Sequence, residues 1–121
     1  MVNIEPAHLV GTGGAIGALC RHYLSAAVDV EGVPLGTLTV NVIGSFVLGL
    51  LTFAGLNSDL VLFLGTGACG SFTTFSSFSV DTVRLWESGS RRRAGENAAV
   101  NLVGALSAIA AAYALVSLLG L

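Results

Sequence analysis

Charged residues in this chain are few, and their placement leaves four apolar runs, each about as long as a bilayer is thick. A helix needs about 20 residues to cross a hydrocarbon core, and the runs fall at about 6–28, 34–56, 59–86 and 97–121. Asp29, Glu31 and Gly32 close the first, and Pro34, a residue suited to a first helical turn, opens the second. Asn57, Ser58 and Asp59 form a short capped turn before the third, and Trp86 suits the interface at its end. The stretch from Glu87 to Glu96, with Arg91, Arg92 and Arg93, is the one substantial loop. The expected fold is an all-α membrane protein with a single four-span domain covering 1–121.

Composition supports the same class. Charged residues make up 10% and hydrophobic ones 54%, against roughly 25% charge in ordinary soluble domains. Such a chain could not cover a water-exposed surface, which argues against a soluble enzyme and a disordered chain. A net charge of -2 with no lysine argues against a nucleic-acid partner. Cys20 and Cys69 sit in apolar stretches with no CxxC pair, so they read as small buried hydrophobes. His8 and His22 have no nucleophile or metal partner nearby in sequence. No basic region or cleavage-like site precedes the first run, which is therefore expected to stay in the mature protein.

Topology follows from the arginines. Four spans place the loops at 29–33 and 87–96 on one side and both termini on the other. Arg91–Arg93 lie in the third loop, and Arg21 and Arg84 lie toward the same side. The positive-inside rule puts those loops in the cytoplasm and the termini outside, across a cell membrane. Glycine is dense throughout, and Gly13 with Gly17 forms GxxxG, which serves helix packing within one subunit or between two.

The polar residues inside the spans carry the functional signal. Arg21 lies about seven residues from the end of its span, as either a snorkelling arginine or a protein-facing charge that attracts anions. Thr37, Asn41 and Ser45 share one helix face with Gly44 and Leu48. The Asn41 amide could bind an ion or bridge two helices. In the third span, Gly67, Gly70 and Ser71 weaken the helix, and seven hydroxyl residues fall between Ser71 and Thr82. A break near 70–74 would free backbone carbonyls, tolerated at this depth only where they are buried or line a cavity, and such carbonyls bind cations. Phe75 and Phe78 share a face with Ser79 and Thr82, whereas Ser77 and Asp81 point elsewhere. Asp81 could pair with Arg84.

Three blocks in order, GGAIGALCRHY at 13–23, GTLTVNVIGSF at 36–46 and GACGSFTTFSSFS at 67–79, resemble the Fluc/CrcB fluoride channels along nearly the whole chain. The resemblance implies passive export of F⁻ that protects the cell against fluoride. It also implies a dual-pore antiparallel dimer with a structural Na⁺ where two broken third helices meet. By match to the motif, the carbonyls of Gly70 and Thr73 would hold Na⁺. Phe75 and Phe78 would line the fluoride pore, with Asn41 as its amide and Ser76, Ser77 and Ser79 as a hydroxyl track. Arg21 would face a vestibule, and Asp81 stands where the family often has an acidic residue. Asn97, Asn101 and Gly104 share a face of the last span, which no motif anchors. Ser71 stands where a second glycine is common, and Ser77 replaces the usual threonine.

The residues suit the implied ion. Fluoride is strongly hydrated, so a dry pore must supply donors: the Asn41 amide, hydroxyls and the positive edges of aromatic rings. Two alternatives remain at this point, a non-transporting accessory subunit and a small multidrug-type proton-coupled exporter. The exporter would need a carboxylate within a span, and Asp81, near Arg84, is the one candidate. The arginine bias adds an expectation about assembly. A chain that pairs antiparallel with itself must insert both ways, so a biased chain is expected to pair with a related subunit of opposite bias, homodimerisation being the alternative.

Overall fold

A computed structural model describes residues 3–121, and these residues form helices joined by short turns. Pro6, whose missing N–H costs nothing in a first turn, begins α1 (Pro6–Val28). A tight turn with Gly32 at φ 78° leads to α2 (Leu35–Phe53). Asp29 spans this turn: its Oδ1 accepts the Gly36 N–H at 3.0 Å, satisfying one of the orphan donors at the start of α2. α2 stops at Phe53, short of the expected 56, because Gly55 at φ 63° takes the left-handed position that ends a helix. Asn57 then caps the next helix, accepting the Leu60 N–H at 2.9 Å.

The third span departs from a plain helix in two places. Residues 58–72, here α3, run as a wide π-helix over Val61–Cys69 and return to α-helical geometry at Gly70–Phe72. The chain then breaks at Thr73 and Thr74, both extended, before α4 (Phe75–Glu87). The glycines that led sequence reasoning to expect the break are thus not where it falls; Gly70 is still helical. The break is made by two β-branched residues, which favour extended backbone, and Thr74 caps α4 by accepting the Ser77 N–H at 3.1 Å.

The last helix, α5, spans Arg91–Leu119. The expected loop at 87–96 therefore shrinks to residues 88–90, turned by Gly89 at φ 85°, and the three arginines are helical. Arg93 Nη2 donates to the Gly32 carbonyl at 2.6 Å, so the first and third loops lie together at one end of the bundle.

Three stretches, Leu35–Phe53, Ser58–Glu87 and Arg91–Leu119, are long and apolar enough to cross a membrane. α1 has 23 residues, about 35 Å of helix, but its glycines, His8, Arg21 and His22 lower its apolarity. Its glycine face is what seats it. A methyl at Gly13 would overlap the Phe63 carbonyl oxygen, and one at Gly17 the Ala68 carbonyl oxygen. The GxxxG pair is therefore spent within the chain, letting α1 lie against the widened π segment of α3. α2 and α5 meet in the same way, with Gly49 facing Ala112. The buried apolar side chains, among them Val40, Ala108, Ala112 and Val116, are small. Large ones such as Leu102, Leu106 and Tyr113 stand on the outside, the arrangement expected where the surroundings are lipid rather than water.

Candidate functional site

The break in the third span is held by one side chain. Asn41, at mid-α2, accepts the Thr74 N–H with Oδ1 at 2.8 Å and returns Nδ2 to the Thr74 carbonyl at 3.2 Å. The Thr74 donor fixes the orientation of the amide, since only its oxygen can accept. Gly44, one turn further along α2, makes room for the break: a methyl there would overlap Thr73 Cγ2.

Two hydrogen bonds of a continuous helix are diverted in the process. The Thr74 N–H, which would reach back to the Gly70 carbonyl, goes to Asn41, and the Ser77 N–H, which would reach Thr73, goes to Thr74 Oγ1. The carbonyls of Gly70 and Thr73 are thereby released from the ladder, and these are the two oxygens expected to hold Na⁺. Gly70 is exposed on the face of the chain and Thr73 is half-buried. Neutral carbonyl oxygens freed from a helix are a donor type that a hard monovalent cation takes, so the residues present fit such an ion. Among the described residues, no cluster of three or more His, Cys, Asp or Glu side chains could hold a metal.

A polar ladder runs on from Asn41 into α5. Its Nδ2 donates to Asn101 Oδ1 at 3.3 Å, Asn101 Nδ2 donates to Asn97 Oδ1 at 3.2 Å, and Asn97 Nδ2 donates to Thr82 Oγ1 at 2.9 Å. Asn101 is buried and paired at both ends of its amide. Thr74, Asn97 and Asn101 are the residues whose part sequence reasoning missed or could not anchor. The available signal was the four-residue spacing of two asparagines inside an apolar helix.

Cavities open on both sides of the break. The larger, about 520 Å³, is lined by Asn41, Ser45, Thr73, Phe75, Phe78 and Asn101, among others. The Phe75 and Phe78 ring centroids lie 5.5 Å apart at 46°, and Phe75 is 80% exposed, presented outward from the chain. The smaller, about 160 Å³, is lined by Arg21, His22, Ser25, Thr37, Val40, Thr74 and Ser77. Arg21 is thus half-buried against protein, and among the described residues no carboxylate pairs with it. Its charge is free to act on whatever enters.

The hydroxyls divide by whether their hydrogens are spent. Thr74 Oγ1 donates to Ser77 Oγ at 3.0 Å, leaving the Ser77 hydrogen free beside Arg21. Ser76 Oγ lies 3.2 Å from the same Thr74 oxygen. Ser79 donates to the Phe75 carbonyl at 2.9 Å, so its hydrogen is turned back onto the helix. Asp81 does not pair with Arg84 as its spacing suggested. Its Oδ2 accepts from Thr37 Oγ1 at 2.7 Å, and the single ion pair among the described residues is Arg92–Glu96.

The residues from 8 to 114 match the family model described as CrcB-like protein, Camphor Resistance (CrcB). The chain is 64% identical over 116 residues to a protein of Haloarcula marismortui named fluoride-specific ion channel FluC 2, covering 96% of this chain and 98% of that one. It is 52% identical over 112 residues to fluoride-specific ion channel FluC 1 of Halobacterium salinarum, covering 93% and 94% of the two chains. A FluC of Methanocaldococcus jannaschii is 47% identical over 103 residues, covering 81% of this chain and 83% of that one.

Proposed function

This chain belongs to the CrcB family, and on that premise we propose that it is a fluoride-specific channel that exports F⁻ passively and protects the cell from fluoride. It is a multi-pass membrane protein and a channel, not an enzyme. The observation that carries the reading is the cavity bounded by Asn41, Phe75 and Phe78 beside a broken helix. Such a cavity offers amide hydrogens and aromatic edges to an anion that must shed water, with weak serial contacts that let it leave again.

Each residue has a role in this account. Arg21 draws fluoride into its cavity by charge, and the free hydrogen of Ser77 receives it there. The Asn41 Nδ2 bonds are long, at 3.2 and 3.3 Å, so one of them exchanges for the ion at little cost while Oδ1 keeps its hold on Thr74. The rings of Phe75 and Phe78 present their edges, and Ser76 and Ser79 continue the hydroxyl track by turning their hydrogens from Thr74 Oγ1 and the Phe75 carbonyl to the ion. α4 starts at the break, so its positive end also lies where the anion passes.

The carbonyls of Gly70 and Thr73 are the oxygens that would hold Na⁺, which would add a fixed positive charge near the pathway. Exposure of Phe75 and Gly70 on the single chain fits an antiparallel dimer in which a second subunit covers them. The shared end of the first and third loops, tied by Arg93 and Gly32, lies in the cytoplasm in this reading. All five arginines lean that way, so the second subunit is a related chain of opposite bias.

Fluoride efflux from liposomes containing the purified protein, alone and with a related companion subunit, tests the function. Flux in either case supports it, and no flux from folded protein in both refutes it. Accessibility of tags on both termini, with the chain expressed alone, tests the orientation: equal populations facing each way would eliminate the heterodimer.

A further inference from the structure

The arginines at the start of α5 stand apart from the cavities around the break, and one of them heads a groove. Arg93 lines a cavity of about 220 Å³ where α2 and α5 meet the end of α4, with Glu96, Leu38, Leu85 and Val100. A second cavity, about 350 Å³, shares Leu38 and Val100 and continues along the same two helices to Val42 and Gly104. On α5, residues Arg93, Asn97, Val100 and Gly104 share one helical face. From Arg93 to Gly104 the helix rises about 16 Å, close to one leaflet's share, about 15 Å, of a hydrocarbon core.

The groove changes character along its length. Its mouth is basic, and beyond Asn97 the lining is apolar except for Thr39, with Val100 50% and Ile43 42% exposed. Arg93 spends one N–H on Gly32, leaving four others. Glu96, the one carboxylate at the mouth, is already paired with Arg92 at 2.8 Å. Arg91 lies over the ring of Trp86, 4.8 Å from its centroid, and a half-exposed tryptophan marks the level of the lipid headgroups. A basic mouth at headgroup level above an apolar channel one leaflet deep matches the two halves of a single amphiphile.

We propose that this groove binds one anionic phospholipid, with its phosphate at Arg93 and the neighbouring arginines and one acyl chain between α2 and α5. The lipid would fill a seam the two helices leave open and hold the arginine end in the anionic leaflet. Native mass spectrometry of the purified protein in detergent, titrated with phosphatidylglycerol or with phosphatidylcholine of the same chains, tests it. Phosphatidylglycerol is retained in preference, and Arg93→Gln lowers its affinity about fivefold, the weight of one arginine against an anionic surface. Val100→Trp, which fills the groove from an exposed position, lowers retention of both lipids. Equal affinity for the two lipids, or wild-type retention by Val100→Trp, overturns the proposal. So does cross-linking of Val100→Cys between two protein chains, since protein would then occupy the groove. Neither Arg93 nor Val100 touches the fluoride pathway, and the readout is mass, so the result is independent of conduction.

Discussion

Asn41→Ala removes the clasp on the broken helix, and the structure says how the loss divides. The Thr74 N–H, buried and bonded at 2.8 Å to Asn41 Oδ1, is left without an acceptor at about 1–3 kcal/mol. The two Nδ2 bonds are long, at 3.2 and 3.3 Å, and polar contacts between membrane helices average about 0.6 kcal/mol each. The total is about 2–4 kcal/mol. Asn101→Ala breaks one of the same bonds and its two contacts with Asn97, about 0.6 kcal/mol each, but orphans no backbone donor, so it costs less. Unfolding in mixed micelles with rising dodecyl sulfate measures both, followed by far-UV circular dichroism and by the fluorescence of Trp86, the single tryptophan. Asn41→Ala also lowers fluoride flux, because the same amide faces the cavity. The reasoning fails if Asn41→Ala costs no more than Asn101→Ala, for the amide would then not be what holds the break.

Four further outcomes follow from the same geometry. Phe75→Ile or Phe78→Ile cuts fluoride flux in liposomes while size-exclusion elution stays that of the wild type; unchanged flux would reject the ring edges as contacts. Gly17→Ala forces a methyl onto the Ala68 carbonyl and destabilises by about 1–3 kcal/mol, the usual penalty of overpacking, measured by the same unfolding titration. Thr37→Val leaves the Asp81 carboxylate without its hydroxyl donor and costs about 1–3 kcal/mol, where a shift under half of that would make the contact incidental. Replacing sodium by N-methylglucamine during purification lowers both thermal stability and flux; indifference of both would remove Na⁺ from the account.

The positions of the helices were legible because charge and helix length are one-dimensional facts, whereas three stretches rather than the expected four are apolar enough to cross a membrane. α1 runs over Pro6–Val28, where the charges predicted it, and Asn57 caps as its residue type implies. Ends set by backbone geometry were less legible. The start of α5 at Arg91 was hidden because three adjacent arginines read as loop, whereas Glu96 and Trp86 compensate two of them within the helix and its neighbour. The break was placed near the right residues for an incomplete reason. Glycine marks weak helix, but an extended pair needs its N–H and C=O groups met from elsewhere, and the partner, Asn41, lies 33 positions away in the chain. That Asn41 bridges segments was hidden for the same reason, since its partners Thr74 and Asn101 lie 33 and 60 positions away in the chain. The GxxxG pair likewise carried no information about which helix it met.

A cavity bounded by Asn41, Phe75 and Phe78 should select the smallest, most strongly hydrated halide. The most direct test of that selection is paired efflux of fluoride and chloride from the same proteoliposomes, read by ion-selective electrodes after addition of a potassium ionophore. Fluoride is expected to leave through the protein while chloride stays inside. Chloride efflux matching that of fluoride would mean that the cavity does not select between them.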